Sequence, residues 1–226
     1  MTQRLSARET AYQILRSRIL NLDLKPNDSL SDKELAAQMG MSRTPIREAV
    51  IKLSLANLVV VRPQSGTFVA PIDTRIVEME QFSRYVLEKE MVLQAIPRMT
   101  DRARQMYEEN LQVYRLYLAS HGPDRKSRLF ALDNQFHRIA FQLNQKGGHF
   151  DWMQDARHHI ERVRVLSFLM NLDDFIPKDH EELVAAMSAG DADTAVQILE
   201  RHLTLYQDHL KQMKTAYPHY FDGTGE

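Results

Sequence analysis

The 226-residue chain contains no cysteine. That excludes a disulfide framework, a thiolate metal site and a cysteine nucleophile. No stretch approaches the roughly 20 consecutive apolar residues of a membrane-spanning helix, so no membrane partner is expected. The opening residues, MTQRLSARET, lack the apolar core of a signal peptide. A soluble cytoplasmic protein is the expectation. Beyond Pro71 no strand signal appears. What is present is ordinary globular composition, 43% hydrophobic and 26% charged, sufficient for one large domain or two smaller ones. Formal net charge is −1, unevenly placed: residues 1–70 hold ten Lys/Arg against six Asp/Glu, and the remainder 19 against 24. A basic head on an acidic body points to two domains, with a polyanion as the partner of the head.

The head reads as three short helices and a hairpin. Ala11, Ile14, Leu15, Ile19 and Leu22 form the apolar stripe of a first helix, which stops before Pro26. SDKE (31–34) is a capping box, with Ser31 at the N-cap and Glu34 at N3, and its helix ends near Gly40. SRTP (42–45) opens a third helix, in which Pro45 is tolerated in the first turn and Ile46, Ala49, Val50 and Leu53 face inward. Two short helices around GMS make a helix-turn-helix. Arg43, Thr44 and Arg47 then stand on the outward, N-terminal side of the third helix, where a recognition helix meets base edges. The arginine fork can bond guanine O6 and N7 together, and threonine can meet a phosphate or a thymine methyl. LVVVRP (58–63) and TFVAP (67–71) read as two strands of a wing around Gly66, whose lack of a side chain allows close approach to DNA. The alternative is a solvated arginine face beside an ordinary hairpin.

The string SDKELAAQMGMSRTPIREAVIKL, followed by VRPQSGTFV, resembles the winged helix of the GntR family of bacterial transcription regulators. The resemblance covers nearly all of residues 8–70. It implies that Lys33, Arg43, Thr44, Arg47 and Gly66 contact operator DNA. Two departures stand out. Asn57 occupies the place of the usual glycine after the recognition helix, and asparagine also accepts a left-handed cap. Pro26-Asn27 replaces the usual Pro-Gly, which a turn accommodates as well.

The body reads as six helices, at about 73–96, 101–120, 124–145, 149–170, 178–189 and 191–214, with breaks at Pro97, Gly122-Pro123, Gly147-Gly148, Pro177 and Gly190. The fold class is therefore mainly α: a winged helix-turn-helix over 1–71, an all-α six-helix bundle over 72–214, and a disordered tail over 215–226. Four polar residues sit on the apolar stripes of the bundle. Asp133 and His137 lie one turn apart among Leu129, Leu132, Phe136, Ala140 and Leu143. His180 shares a stripe with Leu183, Val184 and Met187, and His202 one with Val196, Leu199, Leu203 and Tyr206. His180 precedes Gly190 by ten residues and His202 follows it by twelve, so an antiparallel helix pair brings them level at about 1.5 Å per residue. One carboxylate and three imidazoles suit a borderline divalent ion. The alternative is a hydrogen-bonded core network.

The body resembles the FCD ligand-binding domain of the FadR-type branch of GntR regulators, and six helices suit its VanR subgroup. The resemblance covers about residues 72–212, and one departure is QKGGHF (145–150), where an asparagine commonly stands near Gly148. It implies a metal on Asp133, His137, His180 and His202, with zinc the first choice and nickel or manganese as alternatives. Open coordination positions suit a small carboxylate effector, and Arg84 and Arg162 are the candidates to neutralise it. Arg84 and Glu88 match an Arg-x-x-x-Glu common in the family, which also fits a surface i, i+4 pair or a dimer contact. The implied protein is no enzyme but a homodimeric regulator, a repressor, that reads an inverted repeat of operator DNA and senses a small organic acid. A sensor of the ion itself, a metal-dependent hydrolase and an architectural helical dimer are the alternatives.

Overall fold

The computed structural model describes residues 5–173 and 175–222. The chain forms two compact units. One takes in the described residues up to Val77 together with His158–Leu166 and those from Lys211 on; the other comprises Glu78–Arg157 and Ser167–Leu210. A stretch from the middle of the expected bundle thus packs within the first unit.

In the first unit, α1 (Ala7–Leu20), α2 (Asp32–Met39) and α3 (Arg43–Leu55) precede a hairpin of β1 (Val59–Arg62) and β2 (Gly66–Val69). Their inward stripes meet in one core that includes Leu15, Ile19, Leu35, Ile46, Ala49, Leu53, Leu58 and Val69. The Ser31 hydroxyl accepts from the Glu34 amide at 3.4 Å, opening α2 as the capping box requires. Ser42 stands at the N-cap of α3 in extended geometry, without a side-chain capping bond. At the other end of α3, Asn57 adopts φ +57°. Its amide donates to the Ser54 carbonyl and that of Leu58 to Leu53, the Schellman pattern that usually calls for glycine. Asn27 likewise turns at φ +70°, so both asparagines fill positions where a glycine was expected.

The antiparallel register pairs Val59 with Val69 and Arg62 with Gly66. Gly66 has φ +118°, open only to glycine. The turn after Pro26 also bonds to β2, through Leu30 N–H to the Thr67 carbonyl and Val69 N–H to that of Asp28. This third edge braces the wing.

The C-terminal segment corrects the disordered tail. Pro218–Tyr220 form a single 3₁₀ turn, Tyr220 and Phe221 are buried, and Phe221 bridges in parallel to Ile72. Residues 223–226, the remainder of that expected tail, lie outside the described residues.

The remaining helices are α4 (Thr74–Ala95), α5 (Asp101–Leu118), α6 (Arg125–Leu143), α7 (Gly147–Ala156), α8 (His159–Leu169), α9 (Ile176–Ala189), α10 (Ala192–Thr204) and α11 (Tyr206–Ala216); the second unit holds all of these but the start of α4, most of α8 and the latter part of α11, which belong to the first unit. Met91, Tyr107, Phe136, Ala140, Phe141, Leu183, Met187, Leu199 and Leu203 supply the core of the second unit. Thr100 and Asp191 cap α5 and α10 through side-chain oxygens. Gly190 (φ +78°) ends α9, and α10 folds back against it. The departure at 145–150 is resolved by Gln145, which takes the left-handed turn itself at φ +57°.

Eight α-helices stand among the described residues where six were expected, because 149–170 breaks at Arg157–His158 and 191–214 at Leu205. Neither break carries glycine or proline. At the second, the Gln81 amide donates to the Leu203 carbonyl, the acceptor that an unbroken helix reserves for residue 207. The Thr204 hydroxyl also bonds back to the Glu200 carbonyl at 2.8 Å, which bends helices.

Candidate metal centre and nucleic-acid interface

Helix α6 presents Asp133 and His137 one turn apart, α9 presents His180 and α10 presents His202. All four are buried, and one donor atom from each lies within 4.8 Å of all the others. The sequence-predicted ligands are thus brought together. His137 Nε2 is 3.2 Å from His202 Nε2, and Asp133 Oδ1 is 3.7 Å from His137 Nε2 and 3.4 Å from His180 Nε2. Phe136 stacks flat on the His180 ring, with centroids 3.6 Å apart and planes within 2°, which fixes its orientation.

Behind two of the imidazoles stands a carboxylate. Glu88 Oε2 lies 2.7 Å from His137 Nδ1, and Asp179 Oδ2 lies 3.4 Å from His202 Nδ1. Glu88, by accepting the Nδ1 proton of His137, leaves Nε2 with its lone pair directed inward, the arrangement found behind metal-ligating histidines; Asp179 stands beside His202 Nδ1 without closing a hydrogen bond to it. Glu88 is held in turn by Arg84, whose Nε donates to Oε1 at 2.6 Å, and Asp179 by Arg201. The spacing of Arg84 and Glu88 was legible in the sequence, but neither carboxylate was predicted to back a ligand.

Burial pushes the His137 imidazolium down to about pKa 4, with Glu88 opposing, and drives His180 well below its ordinary value, aided by His202. Both are therefore neutral at pH 7, the form that binds metal. Burial alone would raise the Glu88 carboxyl; the positive charge of Arg84 and Arg157, with the hydrogen bond from His137, outweighs it and holds the group below the usual range. Neither ring nitrogen of His180 has a hydrogen-bond partner among the described residues. Buried polar atoms in that condition are costly in a plain core network, and a cation in the middle of the four donors would satisfy Nε2, the nitrogen that faces Asp133. The donor set, one oxygen and three nitrogens, fits a divalent transition ion.

Arg84 is 3% exposed and already faces Glu88, so it belongs to the buried cluster and not to a solvated helix face. Arg162 is placed differently. Fully buried in the first unit, it donates to the carbonyls of Ala70 and Pro71 at 2.6 and 3.4 Å. The expectation that it neutralises an effector gives way, because these carbonyls engage both ends of its guanidinium fork. His159 sits beside it, accepts the Asp73 amide proton on Nδ1 at 2.9 Å and faces the Asn57 carbonyl with Nε2 at 3.1 Å. Burial, then Arg162, pushes its pKa down to about 3. Sequence reading passed over this residue as one histidine among nine.

On the first unit Lys33, Arg43, Thr44, Arg47 and Gly66 are all exposed. Arg43 and Thr44 open α3, and Arg47 follows one turn later on the same outward side. Its Nε bonds Asp32 Oδ2 at 2.7 Å while the side chain remains 61% exposed, so Asp32 steadies the arginine without covering it.

Two family models match the chain: "Bacterial regulatory proteins, gntR family" over residues 7–69 and "FCD domain" over residues 78–205. Among curated relatives, an uncharacterized HTH-type transcriptional regulator in an unstable DNA locus of Streptomyces ambofaciens is 32% identical over 219 residues, 95% of this chain and 89% of that protein. The HTH-type transcriptional repressor RspR of Escherichia coli K12 is 28% identical over 204 residues, covering 90% and 88%. A solved structure of a putative GntR regulator from Rhodococcus sp. RHA1 superposes with a TM-score of 0.71 at 22% identity, over 94% of this chain and all of that one, a likeness of fold.

Proposed function

We propose, from the fact that this chain belongs to the gntR family of bacterial regulatory proteins and carries an FCD domain, that it is a homodimeric repressor whose helical half holds a divalent ion and responds to a small carboxylate. That it is a DNA-binding transcription regulator, and not an enzyme, follows from the family itself; the hydrolase alternative is withdrawn on that ground.

One observation carries the metal reading: four buried donors from three helices converge, with carboxylates behind two of them. Zinc is our first choice, and nickel or manganese accept the same donors. When bound, the ion supplies a Lewis-acidic centre with positions left for an effector oxygen. The chain's own part is to orient the imidazoles through Glu88 and Asp179 and to keep apolar side chains around them. Arg84 is the cation nearest to hand for the far end of an acid, which would share the guanidinium with Glu88.

The repressor reading leans on the name of the RspR relative. For the dimer, α4 exposes Met79, Phe82 and Val86, an i, i+3, i+7 stripe that a second copy would cover. Two-fold symmetry then implies an inverted-repeat operator read by Lys33, Arg43, Thr44, Arg47 and Gly66. No helix among the described residues is long and apolar enough to cross a membrane, which accords with a cytoplasmic regulator.

An effector shifts operator affinity only by binding the DNA-competent and incompetent states unequally. Zinc-loaded protein titrated with mono-, di- and tricarboxylic acids is expected to release a duplex it has selected from a random pool, with affinity falling roughly 5–150-fold at saturation. If every acid that binds left operator affinity unchanged, acid sensing would be wrong. If zinc alone moved the affinity and no acid did, the ion itself would be the signal.

A further inference from the structure

Residues 70–73 connect the wing to α4, and the backbone of each is taken by hydrogen bonds from segments distant in sequence. Ala70 donates to the Leu58 carbonyl at 2.9 Å and accepts from Arg162 Nη1 at 2.6 Å. The Pro71 carbonyl accepts from Nη2 of the same arginine. Ile72 donates to the Tyr220 carbonyl at 2.8 Å and accepts from the Asp222 amide at 3.1 Å. Asp73 donates to His159 Nδ1, which leaves Nε2–H to donate to the Asn57 carbonyl. The circuit closes there, on the left-handed residue that ends the recognition helix α3.

A free hinge would leave these groups to water. Instead a fully buried arginine bridges two successive carbonyls, and a neutral imidazole joins the linker to the end of α3. The buried rings of Tyr220 and Phe221 hold the third strap in place. All of these groups belong to the first unit.

We propose that His159 and Arg162, together with the C-terminal Tyr220–Asp222 segment, are positioning residues for operator reading. They clasp the linker and the end of α3 into one piece, so α8 and the C-terminal segment aim the recognition helix. The residues that touch DNA are unchanged by this; what the clasp sets is their angle of approach.

The test uses the full chain and a duplex that the parent selects from a random pool, beside a scrambled duplex of equal length. Arg162→Lys keeps the charge but loses the fork, His159→Phe loses the ring's hydrogen bonds to Asp73 and Asn57, and Phe221→Ala loosens the C-terminal strap. For each, affinity is expressed per folded molecule. Affinity for the selected duplex is expected to fall at least about tenfold while that for the scrambled duplex is retained, because non-specific binding depends on charge and not on aim. His159→Gln, which can still donate to the Asn57 carbonyl, is expected to keep more of the discrimination than His159→Phe. If the ratio of the two affinities stays at the parent value in all three variants, the clasp only stabilises the fold and the proposal is overturned. Should one substitution prevent folding, the other two carry the same comparison.

Discussion

His180→Ala is expected to abolish the thermal stabilisation that added zinc gives the parent protein. A ligand that binds only the folded state stabilises it by RT ln(1 + [L]/Kd), about 4 kcal/mol when free zinc is about 1,000 times Kd. His180 suits this test because its ring is stacked on Phe136 and neither ring nitrogen has a hydrogen-bond partner among the described residues. Its removal takes away a donor without breaking an ion pair of the Arg84–Glu88 kind. The imidazole's burial means that truncation also leaves a cavity, so the variant starts from a lower unfolding temperature. The informative quantity is therefore the zinc-induced difference within each protein, measured by thermal unfolding.

Glu88→Gln grades the same series. Weakening the partner of a metal-ligating histidine typically costs 10–100-fold in affinity, so its zinc-induced stabilisation should shrink by about 1.4–2.8 kcal/mol and persist in part. The substitution also strips buried Arg84 of its counter-charge, a penalty that falls on metal-free and metal-loaded protein alike and cancels in the difference. Equal zinc stabilisation in parent and His180→Ala would remove His180 from the ligand set.

Arg47→Ala is expected to lose sequence-specific DNA binding while remaining as stable as the parent. A bidentate contact to a base is worth about 1–3 kcal/mol, or roughly 5–150-fold in affinity, and in a two-fold dimer it is lost twice. Stability should hold because the ion pair given up among the described residues is that with Asp32, and the Arg47 side chain is 61% exposed; surface pairs of this kind contribute little. The measurement is a footprint on the selected duplex with unfolding followed in parallel. An unchanged footprint would take Arg47 out of the readout.

The parts of the molecule that the sequence disclosed are those in which one segment suffices. The capping box at Ser31, the stripes of α1–α3 and the wing at Gly66 are local patterns with local causes. The asparagines at 27 and 57 could be read because so few residues tolerate a left-handed backbone. The four candidate ligands were legible for a related reason: polar side chains on otherwise apolar stripes demand a partner, and the turn at Gly190 sets His180 level with His202.

What stayed hidden depends on partners far along the chain. Glu88 lies 49 positions before His137, and nothing in α4 announces which imidazole it will face. His159 reaches Asn57 across a separation of 102 residues, and the tail is fixed by a pairing between Ile72 and Phe221. The helix break at 205 is illegible in the sequence because a single carbonyl, captured by a neighbour, interrupts an unbroken apolar rhythm. Arg162 was misread for a like reason: its charge suggested an anion, while two backbone carbonyls receive its fork.

The most direct test of the metal centre is elemental analysis of untagged protein purified without chelator, beside Asp133→Ala prepared the same way. Close to one divalent ion per chain in the parent, and little in the variant, is the result expected. No ion in either protein, even after incubation with zinc, nickel and manganese, would contradict the metal centre and make Asp133 and the three histidines a polar core or effector pocket.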